Sequence, residues 1–127
     1  MPLDLHELVA PAHTAVVLQE VQNGVVGETS ALPMLAAEAK KAGVVEHCAE
    51  LARAARAAGV PVVHCTAETR ADRKGANRNA RLFMGAQKSP VDLTPGSAAV
   101  QPPAEIGVEP GDLLAPAIAR GQDQHRH

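Results

Sequence analysis

The chain predicts an α/β fold, a three-layer arrangement in which a parallel sheet carries helices on both faces. Three observations lead there. Ala15, Val16, Val17 and Leu18 form a short apolar run with no polar break, the pattern of a strand covered on both sides. A second such run, "VPVVHC", spans Val60 to Cys65. Between them lie two helical patterns, each closed by a glycine, Gly43 and Gly59. Strand, helix, glycine stop and strand make up a right-handed crossover in a parallel sheet.

The elements follow in order. Thr14 to Leu18 is the first strand, and a polar turn with Gln19, Glu20, Gln22 and Asn23 follows it. Ser30 is placed to cap a helix over about residues 31–42, with Pro33 tolerated in the first turn. A second helix is expected over about residues 44–58. Its apolar stripe is Val45, Cys48, Leu51, Ala52 and Ala55, and Glu46, Glu50, Arg53 and Arg56 face outward. The second strand runs from Val60 to Cys65, with Pro61 near its start, where a missing N–H is tolerated. Beyond Ala67 the pattern dissolves into a charged loop, and Asn79 is placed to cap a short helix through Ala86. A proline-rich stretch follows, with Ile106, Leu113 and Leu114 as its expected core contacts, and "EPGDLL" reads as a turn feeding a third strand.

Composition narrows the function. Of 127 residues 46% are hydrophobic but only 1% aromatic, so the core must be built from Ala, Val and Leu. A net charge of -2 with no Lys/Arg block argues against nucleic acid or an anionic membrane surface as partner. No apolar run approaches the roughly 20 residues that span a bilayer. The first residues carry no basic-then-apolar leader pattern, and two cysteines make neither a disulfide framework nor a metal motif. A cytoplasmic protein is expected.

In a parallel sheet, ligands bind beyond the carboxyl ends of the strands. Glu20, Gln22 and Asn23, together with His64, Cys65 and Thr66, are thereby expected at one crevice. Asn77 and its neighbours Arg78, Asn79 and Arg81 are loop groups able to meet an anionic substrate, or simply a solvated loop. Plainer readings stand beside the others. Asn23-Gly24 is good turn chemistry, and Glu20 could be a solvated strand-end acid. Adjacent strand residues such as His64 and Cys65 point to opposite faces, so a packed Cys and a rim His is the simpler account. No metal site is expected, His125 and His127 included.

"TAVVLQEVQNG" resembles the first strand of the isochorismatase-like hydrolases, the cysteine hydrolase superfamily, which ends in an apolar residue, Asp, any residue, Gln and Asn. "ARAAGVPVVHCTAETR" resembles that family's second helix, glycine stop and second strand. "EIGVEPGDLL" is similar to its approach to the third strand. The likeness covers about Thr14 to Leu114. It implies a Rossmann-like parallel sheet and hydrolysis of a small-molecule amide or vinyl ether by an Asp–Lys–Cys triad, without a cofactor. Carried over by position, Glu20 falls on the Asp and is the expected catalytic residue. Its extra methylene moves the carboxylate by roughly an ångström, which matters to a positioned base. Gln22, Asn23, His64 and Asn77 are the expected substrate-binding residues. The Lys would lie near Ala117, where Ala115-Pro116-Ala117 stands instead, and the nucleophilic Cys would lie beyond residue 127.

The resemblance further implies that residues 1–127 form a single partial domain, impaired or inactive by itself. Residues 115–127, "APAIARGQDQHRH", are expected to be a disordered tail foreign to the family, the product of truncation or a frameshift. Three strands would leave an open edge and uncovered apolar faces. The expected partner is a small-molecule substrate, with a homo-oligomer left open. The alternative is a non-catalytic binding or oligomerisation module of the same fold.

Overall fold

The computed structural model describes residues 2–118. Three strands, β1 (Val16–Gln19), β2 (Val62–Glu68) and β3 (Leu113–Ile118), form one sheet in the order β1-β2-β3. Both pairings are parallel. Leu18 lies opposite His64 and Gln19 opposite Cys65, while His64 lies opposite Leu114. The helices are α1 (Leu5–Leu8), α2 (Asn23–Val26), α3 (Pro33–Lys41), α4 (Val44–Ala57) and α5 (Arg81–Lys88), with 3-10 turns at Pro11–His13 and Ala98–Val100.

The first crossover forms as the sequence predicts. Ser30 stands two residues before the Leu32 cap of α3; its hydroxyl accepts from Leu32 N–H (2.8 Å) and donates to Val25 O (2.6 Å). Pro33 opens α3. Gly43 (φ 66°) and Gly59 (φ 72°) take the left-handed backbone that separates α3 from α4 and ends α4. Helix α4 then lies on one face of the sheet, where Ala49, Ala52 and Ala55 pack with Leu18, Val62 and Ile106. Three alanines on one helical stripe let the helix approach the sheet closely, which suits a core with almost no aromatic rings.

Several expectations are corrected. Leu51 is exposed and Ala49 takes its place in the core, because the buried stripe of α4 is 49-52-55. Leu113 and Leu114 are exposed too, at 56% and 62%: β3 is an outer strand, and among the described residues no second layer covers it. Strand β2 begins later and ends three residues later than expected, at Glu68. Helix α5 starts at Arg81 and reaches Lys88, with Ala80 at its cap, while Asn79 sits in the preceding turn. Strand β3 extends to Ile118, into the stretch expected to be tail; residues 119–127 lie outside the described residues. The short α1 was not foreseen. Asp4 caps it by accepting from His6 and Glu7 N–H.

Helix α4 covers one face of the sheet. On the other, Val17 (55% exposed) and Leu113 stand beside half-buried Val63 and Cys65.

Candidate functional site

Strand β1 ends abruptly. Glu20 still donates its N–H to Cys65 O (2.7 Å), yet its φ is 56°, left-handed backbone that costs an ordinary side chain about 1–2 kcal/mol. The reversal lifts the chain out of the sheet and presents the Glu20 side chain to solvent at the carboxyl rim. There its Oε1 accepts from Gln19 Nε2 (3.3 Å). Glu20 lines a cleft of about 440 Å³ whose walls are mainly apolar, with Val21 and Val25, Leu35 and Ala39 of α3, and Val44 of α4; Glu38 adds a second carboxylate.

Gln22, two residues on, is wholly buried. Its Oε1 accepts from Ala67 N–H (2.7 Å), and its Nε2 donates to Ala67 O (3.0 Å) and Ala99 O (3.3 Å). The amide is thus committed to backbone and clamps the turn after β1 to the end of β2 and to the 98–100 turn. Asn23 does similar work at the surface, donating from Nδ2 to Ala98 O (3.1 Å) and from its N–H to Gln101 O (2.9 Å).

His64 does not stand at the rim. Because β2 continues to Glu68, His64 is mid-strand, 1% exposed, on the face that α4 covers. Its Nε2 lies 2.8 Å from Asp112 Oδ2. The Arg56 guanidinium, bonded to both Asp112 oxygens (3.2 and 2.6 Å), holds that carboxyl well below the usual carboxylate range; burial opposes the shift and His64 adds to it. An ionised carboxylate only accepts, so the Nε2 of His64 carries the proton. His64 Nδ1 is buried with no hydrogen-bond partner among the described residues. Arg56 also donates to Ile106 O (3.1 Å) and Gly107 O (3.2 Å), tying the approach to β3 onto α4. The expectation that Arg56 faces outward is corrected: its long stem lies along α4 and its head reaches under the 106–112 segment, leaving the side chain 16% exposed.

Asn77 is exposed in the loop after β2. Its Oδ1 accepts from Asn79 N–H (3.0 Å) and its backbone O from Gln87 Nε2 (3.3 Å), so its bonds stay within the loop and α5. Of the five residues singled out, Glu20 lines the cleft, Gln22 and Asn23 brace the turn beside it, and His64 and Asn77 lie elsewhere. Asp112 and Arg56 are the functional-looking pair that pattern reading missed. An Asp between a glycine turn and a strand, with an Arg in the last turn of a preceding helix, was the available signal. Among the described residues, no cluster of His, Cys, Asp and Glu could hold a metal ion. Neither cysteine joins the site: Cys48, half-buried on α4, has a thiol pushed up by burial, and Cys65 lies on the open sheet face.

The family model for the isochorismatase domain matches residues 14–113. Among solved structures, a hydrolase assigned to the isochorismatase family from Chromobacterium violaceum superposes with a TM-score of 0.51 at 18% identity, over 93% of this chain. That match takes in 48% of the solved chain, so this chain spans about half its length. No curated protein matches. The chain belongs to the isochorismatase domain family.

Proposed function

We propose that the cleft beside Glu20 is the substrate site of an isochorismatase-family hydrolase acting on a small-molecule amide or vinyl ether, with Glu20 in the role of proton-transferring carboxylate. The observation that carries this is the placement of Glu20. Its backbone is held in a left-handed conformation at the carboxyl end of β1, and its side chain lines an apolar cleft. Strain of this kind persists where the surroundings over-determine it, and such places cluster at functional sites. In the family's chemistry the carboxylate takes a proton from a nucleophilic thiol and returns it to the leaving group, while a Lys stabilises charge.

Among the described residues, neither of the other two groups stands at the cleft. Ala115-Pro116-Ala117 occupy the positions where the Lys would fall, and Cys65 is mid-strand on the sheet's open face rather than at the cleft. The reading is therefore of a substrate-binding half-site, impaired or inactive in turnover. The same gap favours a second reading, a non-catalytic binding module of this fold.

Calorimetric titration of the protein with a panel of small primary amides, beside Glu20→Gln, tests both. Binding that weakens about tenfold in the variant, with no turnover by this chain, supports the half-site. Unchanged binding sinks the role of Glu20, and turnover by this chain alone sinks the impairment.

A further inference from the structure

Charge is unevenly shared along the chain. Residues 70–88 hold six of its 12 Lys and Arg but one of its 14 Asp and Glu, so this segment is strongly basic in a protein of net charge -2. Arg70 pairs with Asp72, and Arg73 donates to Gln87 O (2.6 Å). Lys74, Arg78, Arg81 and Lys88 are exposed and make no ion pair among the described residues. The same segment contains α5, whose Leu82, Phe83 and Met84 are 55%, 42% and 53% exposed. Phe83 is the chain's one aromatic residue. No residue of α5 is buried, and isolated helices shorter than about 12–15 residues are marginal in water. A helix of eight residues therefore needs something to cover its apolar side chains.

A surface of the opposite character lies among α2, α3 and the start of α4. A cleft of about 490 Å³ there is lined by apolar groups, among them Val26, Ala36, Val45 and Pro103, and by Glu28, Glu46 and Glu105 with Lys40. It is a different cleft from the one beside Glu20 and shares only Val26 with it. The three carboxylates are exposed and make no ion pair among the described residues. The volume lies in the range of concave binding sites, about 300–1,000 Å³. Successive residues of a helix point about 100° apart, so Leu82 to Met84 spread over about 200° of α5. A flat surface such as a membrane covers one side of such a helix, whereas a cleft holds it from two.

We propose that α5 of one copy docks in the α3 cleft of a second copy of this chain. Leu82, Phe83 and Met84 enter against the apolar lining, and the free cations around α5 meet Glu28, Glu46 and Glu105. The two surfaces match in plan: each has an apolar centre, and one rim is basic where the other is acidic. Complementary rims of this kind steer encounter and fix register. Each copy offers both surfaces, so the contact is either exchanged reciprocally in a two-fold dimer or repeated head to tail in a ring or an open chain. Its charges are exposed and hence screened, so the association weakens as ionic strength rises. The inference goes beyond the hydrolase reading and does not depend on it.

Light scattering over a concentration series tests this, at about 0.05 M and about 0.5 M salt. Expected is association at low salt, with a midpoint concentration that rises at least about tenfold at high salt. Phe83→Asp abolishes it, and Leu5→Asp on α1, also at an exposed position, leaves it unchanged. Reversing the charge around α5 (Arg78→Glu with Arg81→Glu) or at the cleft (Glu28→Lys with Glu105→Lys) abolishes it in either chain alone. An equimolar mixture of the two reversed chains restores it, because each presents the rim that the other needs, which a misfolded variant would not do. Three results overturn the proposal: a monomer at every concentration in low salt, association that the reversals leave unchanged, or folded reversed chains that stay apart when mixed. A monomer that instead sediments with vesicles of anionic lipid overturns it as well and gives α5 to a membrane surface.

Discussion

His64 and Asp112, from β2 and from the turn before β3, meet in the interior at 2.8 Å with side chains 1% and 3% exposed. Arg56 from α4 closes the group from the third side. One acid thus joins three segments that share no local sequence. Taking Asp112 away leaves a guanidinium and an imidazole without their acceptor, and breaking a buried pair in this way costs about 3–5 kcal/mol. Asp112→Ala should lower the urea midpoint accordingly; a loss under about 1 kcal/mol would mean the group contributes little.

The same carboxyl makes stability depend on acid. Its folded pKa lies below the ordinary value of about 3.9, so the unfolded chain binds the proton first as pH falls. The stabilisation is fully present above that ordinary value and is lost as pH drops from there through the folded value. Denaturant melts of the protein should weaken progressively below about pH 4, and Asp112→Asn should flatten that part of the curve.

Gln22→Ala should destabilise by more than about 2 kcal/mol, since it orphans Ala67 N–H, Ala67 O and Ala99 O, with about 1–3 kcal/mol for each buried group left unpaired. Gln22→Glu should fare no better, because a carboxylate cannot donate to the two carbonyls. Thermal unfolding of the pair is the measurement.

Gly24, the second residue of α2, leaves no room for a side chain. A Cβ there would stand 2.8 Å from Leu93 Cδ2 and 2.9 Å from both Ala99 Cβ and Ala99 O. The leucine tip can swing away, but the Ala99 backbone cannot. Gly24→Ala should therefore cost about 1–3 kcal/mol although alanine is the better helix former.

At Glu20 the expected sign is reversed. Replacing a strand-end residue with glycine ordinarily lowers stability, but φ 56° is a conformation glycine accepts freely. Glu20→Gly should leave the melting temperature unchanged or raise it, while removing the carboxylate from the cleft. A clear fall would show that the left-handed backbone is not strained.

What could be read from the residues was what repeats locally. The run Ala15 to Leu18, the glycines 43 and 59 and the run through Val62 carry their own periodicity, so the first crossover and its parallel sense were legible. The limits of β2 were not, because Thr66 to Glu68 resemble loop in isolation and become strand only by pairing with β3 and with the Gln22 amide. Leu113 and Leu114 look like core by composition, yet burial depends on what lies across from them. At the site, Glu20 was found because it follows an apolar run. Arg56 escaped notice because a charge on a helix is ordinarily solvated, and its acceptors lie about fifty residues downstream.

The amide of Gln22 imitates a peptide unit. It offers Ala67 one acceptor and one donor, the same two groups that a neighbouring strand would have offered. The sheet thereby gains a rung made of side chain, and the main chain is released to turn away one step early. Asparagine carries the same head group on a shorter arm and would fall short of Ala67. The geometry of the rim is therefore written in the length of a single side chain as much as in its chemistry.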